Sequence, residues 1–347
     1  MIKKLGLLLK NLLPSDYIFG SYSPIRHDDI INPDGDWFNE FPPHESQMVK
    51  YSDTWGCVSF SALNVLEAKF NYFIKHKLFS EENIQWLRDK GYLNENDEMN
   101  CSDWFIVLMS GTRPYKGNFV RTVWETMRKT SGLIPQHMTP NGLNTVDKYY
   151  DKSNITQEMK DLGKEFLERF KIFYEYVPTD DLEKLKEVFK YSALQVLIAL
   201  CPKKNGIHQR CDRKIIHAVS LPRIKEDLDY LELFDQYSLN GNYIRKVSKD
   251  YLTYKWAVAC YIKELNKKNI MEFKKNELIL ILTKHSQYLG MELDGRIVVY
   301  KNNFDASNNA SARREEKHLL APEKTVRLED LKGVEIVDGK GDKIELE

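Results

Sequence analysis

Apolar residues along this chain follow two different periods. From Val58 to Ile74 they recur at steps of three and four: Leu63, Leu66, Phe70 and Phe73, widened by Val58, Val65, Ala68 and Ile74. That spacing predicts a core-facing helix of about four turns. Residues 80–91 read as a second helix opening on Ser80-Glu81-Glu82, and Ser102 caps a third that runs to Met109. Ser110-Gly111-Thr112-Arg113-Pro114 breaks the pattern. Further helical stretches are expected over 117–131, 156–175 and 179–191. Beyond them the period shifts. Ser192–Cys201 and Ile215–Leu221 are near-continuous apolar runs that suit buried strands, and Asp229–Tyr237 and Tyr251–Ile262 give two more. Short polar connections predict an antiparallel meander. A helical half followed by a stranded half is an α+β layout with two lobes, not an alternating one.

The flanks differ from this centre. In Met1–Leu13 two lysines precede an apolar stretch, as in a secretory leader, but Lys10 and Asn11 interrupt it and no small-residue cleavage site follows. The stretch is too short to span a bilayer. It reads as a short amphipathic helix or arm that docks on the protein or a partner. Residues 14–47 are rich in Pro, Asp, Gly and aromatics, with a turn at Asn32-Pro33-Asp34-Gly35. Past the polar break Asn266-Lys267-Lys268-Asn269, Met291–Tyr300 holds Asp294-Gly295 between apolar alternations, a hairpin signal, and Val334–Glu347 repeats it around Asp338-Gly339. The expected organisation is an arm over 1–44, a central domain over 45–264 and a small β-rich appendix over 265–347.

Composition narrows the function. The 347 residues carry 51 Lys plus Arg against 51 Asp plus Glu, so no global positive field points to nucleic acid. Five cysteines form no C-x-x-C pair, and a reducing compartment fits them better than a disulfide-built scaffold. Cys101, Cys201 and Cys260 read as structural thiols. Cys201, His208, Cys211 and His217 match no common zinc spacing, so neither metal nor cofactor is expected.

The chemistry-bearing residues are Cys57, His217 and Asp235. Cys57 sits where a loop enters a helix. Unpaired N–H groups and the partial positive charge of a helix start stabilise a thiolate and an oxyanion. A cysteine nucleophile needs a base, and the base an orienter. His217 lies in the apolar run Ile215–Leu221, and Asp235 follows 18 positions later on the next expected strand. Adjacent antiparallel strands can bring the two side chains together.

These segments resemble the papain-like cysteine peptidases. Trp55-Gly56-Cys57-Val58-Ser59-Phe60-Ser61 is similar to the glycine-serine-cysteine-tryptophan-alanine-phenylalanine-serine segment of that family. His217-Ala218-Val219 is similar to its histidine strand, and Phe234-Asp235-Gln236-Tyr237-Ser238 to its asparagine segment. Gly117–Pro140 resembles the helix and turn of its left lobe, so the resemblance spans roughly residues 45–260. It implies a papain-like two-lobed fold, a peptide or protein substrate, Cys57 as nucleophile, His217 as base and then acid, and Asp235 as orienter. Departures are Val58 for tryptophan, Asp235 for the commoner asparagine, and Tyr51 where the family's oxyanion glutamine falls. Gln47, ten before the cysteine, is the replacement candidate if the loop is longer. The arm, the Asp53–Leu63 motif and the C-terminal unit resemble papain-like proteins of phage tails and virions. That resemblance implies a host cytoplasm or a virion, with other virion proteins as partners of the arm and C-terminal unit. Two alternatives stand beside the peptidase reading: a structural virion protein with weak or no activity, and a hydrolase of peptidoglycan peptides.

Overall fold

The computed structural model describes residues 7–9, 12, 16, 18–19, 30–50, 52–239 and 242–265, and the strand backbones at 288–293, 296–301 and 326–327. In chain order the elements begin with β1 (Leu7–Leu8), β2 (Met48–Val49) and β3 (Ser52–Asp53). Then come α1 (Cys57–Lys75), α2 (Glu81–Asp89), α3 (Asp103–Met109), β4 (Asn118–Phe119) and α4 (Val120–Thr126), followed by α5 (Val146–Tyr149) and α6 (Gln157–Arg169). The remainder is β5 (Phe170–Pro178), α7 (Leu182–Phe189), β6 (Leu194–Ala199), β7 (Lys203–Lys204), β8 (Ile207–His208), β9 (Ile215–Leu221), β10 (Tyr230–Leu239), β11 (Asn242–Ser248) and β12 (Trp256–Glu264). Residues 1–265 and 266–347 form two compact units. In the second, β13 (Tyr288–Leu293) pairs antiparallel with β14 (Arg296–Lys301), across the Asp294-Gly295 hairpin signal, and β14 pairs with β15 (Val326–Arg327). The expected hairpin at Val334–Glu347 lies outside the described residues.

The first unit is α+β, helices first and sheet second. Its eight-stranded sheet runs β5-β12-β6-β9-β10-β11-β8-β7. Only β9, β10 and β11 meander in sequence order. β12 returns to pair with β5 along its whole length and with β6, so the simple meander gives way to a crossover. The helix expected over 156–175 ends at Arg169, and Phe170–Pro178 is a strand. Phe166, Phe170 and Phe173 extend the helical spacing on paper, but Ile172, Tyr174 and Tyr176 alternate, and β12 supplies a pairing partner. The N-terminal arm is likewise extended where it is described. β1 pairs parallel with β4 and lies beside β9. Among the described residues no helix is long and apolar enough to cross a membrane.

α1 is the central pillar. Of its residues only Tyr72, Phe73 and Lys75 are not fully buried. Such a helix has packing partners on every side, here α3, α4 and the strands β9, β10 and β12. Its buried polar residues act as fasteners. Glu67 Oε1 accepts from Cys101 N at 2.6 Å. Asn71 donates to Glu40 O at 2.9 Å and accepts from Met99 N at 2.6 Å.

Two expectations change. Cys201 is not a structural thiol: it forms a disulfide with Cys211 across the β7–β8 hairpin. The helix expected over 117–131 is split, with α4 giving way to a π-helical turn at Met127–Ser131. There a Cβ on Gly132 would meet Gly163 O at 1.8 Å, so the backbones of the turn and α6 touch.

Lys69, deep in α1, gives a test of this packing. Its Nζ donates to Tyr191 O and lies 4.9 Å from the Trp37 ring centroid. Burial pulls its pKa down to about 7, against a small opposing effect of Cys260. A lysine depressed this way costs nothing above its unfolded pKa, and the cost grows as pH falls toward the folded value. Lys69→Met should therefore gain on the wild type as pH falls from about 10 to 7, by on the order of a few kcal/mol in denaturant titrations. A difference that does not vary with pH would refute it.

Candidate active site

Cys57 is the first residue of α1, and the loop before it is held by a set of short contacts. Gly56 takes the N-cap position. A Cβ there would come 2.8 Å from Val107 Cγ2 and 3.1 Å from the Phe60 ring, so glycine alone lets the loop turn in this tightly. Trp55 sits at φ 54°, a left-handed conformation that costs a non-glycine residue on the order of 1 kcal/mol. Asp53 holds it there: its Oδ1 accepts from Trp55 N at 2.7 Å and from Gln47 Nε2 at 2.9 Å. Thr54 Oγ1 donates to Gln47 O at 2.8 Å. Gly56 offers no capping side chain, and no acidic residue occupies the first turn. The helix start therefore keeps its positive end toward Cys57.

The first turn of α1 is fixed to the sheet. Gln195 of β6 donates through Nε2 to Val58 O at 2.9 Å and to Ser61 Oγ at 2.7 Å. Ser220 of β9 donates to Ser61 O at 3.1 Å. Gln195 Oε1 in turn accepts from Trp124 Nε1 of α4 at 2.8 Å. A buried amide so fully used leaves little freedom of position.

β9 carries His217 and β10 carries Asp235, and the structure brings them together. His217 Nε2 lies 2.7 Å from Asp235 Oδ1. His217 Nδ1 is buried and faces no hydrogen-bond partner among the described residues, while Cys57 is one of the groups that raise the ring's pKa. Irregularities in the sheet aim these residues. The β6–β9 register slips next to His217, between Ile198 and Ala199. The β10–β11 register slips between Phe234 and Leu239, so Phe234, Asp235 and Gln236 are all buried in succession.

Burial disfavours charge on both partners, and their mutual attraction overrides it. Desolvation pulls the His217 pKa down, but the Asp235 carboxylate and the hydrogen bond to it, with a smaller part from Cys57, raise it to about 10. Desolvation pushes Asp235 up, yet His217, Arg245 and the Tyr237 N–H hold it well below the usual carboxylate range. The pair is thus an imidazolium and a carboxylate at neutral pH. Cys57 and His217 have no solvent exposure and Asp235 has 2%.

Gln47 is fully buried, with its backbone N–H donating to Gln236 O at 3.1 Å, beside Asp235. The β2–β3 turn between Gln47 and Cys57 lengthens the loop and draws the glutamine back to the site. Three neighbours were not legible as site residues. Arg245 of β11 donates from Nε to Asp235 Oδ2 at 2.7 Å and from Nη2 to the same oxygen. Tyr150 donates to Thr54 O, and burial together with the charges of Asp53 and Cys57 raises its pKa. His44 has Nε2 3.3 Å from Asp235 O and stacks on Tyr243. Nothing in the run Asn242–Ser248 sets Arg245 apart from the other charges of the sequence. No group of His, Cys, Asp and Glu among the described residues could hold a metal ion.

No protein family and no curated protein matches the chain by sequence. Several solved structures are similar in fold, and cysteine proteases are among them. Xylellain from Xylella fastidiosa is 16% identical over 76% of this chain and 97% of its own, at a TM-score of 0.48. Digestive procathepsin L2 from Tenebrio molitor is 11% identical over 74% and 78%, at 0.47. Bromelain from Ananas comosus, bound to the E64 inhibitor, is 10% identical over 65% and 96%, at 0.43. Likenesses this distant leave the functional argument to the site itself.

Proposed function

We propose that the chain is a cysteine peptidase that hydrolyses peptide bonds through a thioester on Cys57. The observation that carries this reading is the buried series Cys57, His217, Asp235, with a helix start at one end and a carboxylate 2.7 Å from the imidazole at the other. Cys57 Sγ attacks the scissile carbonyl carbon. The oxygen, now negative, takes the Cys57 backbone N–H and the Gln47 Nε2 proton that Asp53 leaves unused. His217, an imidazolium, gives its Nδ1 proton to the departing amine, which leaves the thioester. Neutral His217 then takes a proton from water, whose oxygen displaces Cys57 Sγ and releases the acid. Asp235 keeps the Nε2–H in place throughout.

A second reading has one observation in its favour. Cys57 and His217 are without exposure, and β1 lies beside β9, which carries His217. A papain-shaped protein with a closed, silent site would look the same. The virion setting rests on the sequence resemblance alone.

Three outcomes test the reading. Iodoacetamide should label Cys57 faster than Cys101 or Cys260 below pH 7, and His217→Ala should slow it. On a peptide library and on peptidoglycan peptides, Cys57→Ala should lower turnover by about a thousandfold or more. Slow labelling indifferent to His217, in the full chain and in one starting at Leu12, would leave the silent reading standing. Gln47→Ala should lower kcat by about a hundredfold with little change in KM, as for loss of one oxyanion donor. Unchanged kcat removes Gln47 from the mechanism.

The pH profile follows from His217. A histidine raised to about 10 keeps its proton below that value and loses it as pH rises through it. Turnover should hold to about pH 9 and fall near 10. In Asp235→Asn the alkaline limb should move down toward the range of an ordinary imidazole. A limb near 7 in the wild type would contradict the assignment.

A further inference from the structure

We propose that Arg245 is a positioning residue whose guanidinium lets an aspartate serve where the resembled family commonly has asparagine. The proposal rests on the peptidase reading and extends it to a residue outside the triad.

Charge counting gives the reason. A thiolate, an imidazolium and a neutral amide sum to zero. Replacing the amide with a carboxylate adds a buried negative charge close to the thiolate, which opposes forming it. Arg245 restores the balance. Its Nε is 2.7 Å from Asp235 Oδ2 and its Nη2 bonds the same oxygen, while Oδ1 stays with His217 Nε2 and the Tyr237 N–H. The carboxylate cannot rotate without breaking these bonds, so the orientation of His217 is set from behind.

Arg245 is itself seated. Its side chain is 11% exposed, and Nη1 lies 3.1 Å from His208 Nε2. An arginine cannot accept, so His208 Nε2 is the acceptor and Nδ1 carries the proton, which goes to Cys201 O at 2.6 Å. His208 is thereby neutral. Desolvation, which lowers its pKa, agrees, and so does the Arg245 charge. The Cys201–Cys211 disulfide closes the hairpin that carries His208, and β8 pairs with β11 at Val247. The groups facing Asp235 are thus His217 from β9, Cys57 beyond it on α1, Arg245 from β11 with His208 behind it, His44 from the arm, and the Tyr251 phenol near Arg245.

The experiment compares Arg245→Met, Arg245→Lys, Asp235→Asn and the double variant Asp235→Asn/Arg245→Met in the full chain. Two readouts are taken: the rate of Cys57 alkylation by iodoacetamide at pH 6, and the proton resonance of His217 Nε2–H as pH is lowered. Arg245→Met should slow alkylation about tenfold or more, and should lose the resonance at a pH higher by about one. Arg245→Lys keeps the charge and should fall between the wild type and Arg245→Met. Asp235→Asn alone leaves a buried guanidinium unpaired and should also be slow. The double variant should recover to within about threefold of the wild type, because an amide needs no counter-charge. Wild-type behaviour in Arg245→Met, or a double variant no faster than Arg245→Met, overturns the proposal. Should Arg245→Met fail to fold, Arg245→Lys against the double variant decides it: a double variant no faster than the lysine form overturns it. Wild-type Cys57 that labels slowly and ignores His217→Ala sinks the peptidase reading alone. The resonance then still decides whether Arg245 holds the pair.

Discussion

The fixing of one helix turn to two strands governs everything downstream in this protein. Gln195 and Ser220 bind Val58 and Ser61, one turn into α1, at distances of 2.7 to 3.1 Å. Those strands are β6 and β9, and β9 carries His217. Cys57 and His217 come from halves of the chain 160 residues apart, so their separation is only as constant as this junction. A misplacement of 1 Å between reacting groups can cost about a hundredfold in rate. Buried amide and hydroxyl bonds suit the task because they are directional, whereas apolar contact tolerates sliding.

The second constraint is electrostatic. The site is enclosed, and an enclosed charge is stable only when paired. Imidazolium, carboxylate and guanidinium stand in series from His217 through Asp235 to Arg245, ending on a neutral His208. Elsewhere in the same core the opposite outcome holds. No cation among the described residues is a cause of the Glu67 and Asp103 shifts; burial and the neighbouring carboxyl Glu45 drive their pKa values well up. These carboxyls are held toward the neutral form and serve as hydrogen-bonding groups, Glu67 to the Cys101 N–H among them. The same desolvation accompanies a charged network in one place and carboxyls pushed toward the neutral form in another. The difference is the presence of an arginine and a histidine.

The loop before Cys57 shows how strain is sustained. Trp55 at positive φ and the close approach at Gly56 both raise the energy of the segment. Asp53, through Gln47 and Trp55, and Thr54, through Gln47 O, repay it with three short bonds among neighbours. The result sets Gln47 and Cys57 on either side of one tight turn.

Much of this was legible from residues in order. The long apolar period after Cys57 predicts α1, and the runs Ser192–Cys201 and Ile215–Leu221 predict β6 and β9, because hydrophobic periodicity is a local property of the backbone. The triad candidates follow from residue chemistry and order. What sequence could not supply is anything set by contact across the chain. Phe170–Pro178 keeps a helical spacing and becomes a strand because β12 pairs with it. Cys201 reads as a lone thiol until a hairpin sets Cys211 beside it. Arg245 reads as one charge among many until β11 aligns it with Asp235. Local periodicity chose the elements, since each needs only its own neighbours; pairing across the sheet chose the partners of every charge, since burial and counter-charge exist only once the chain has folded.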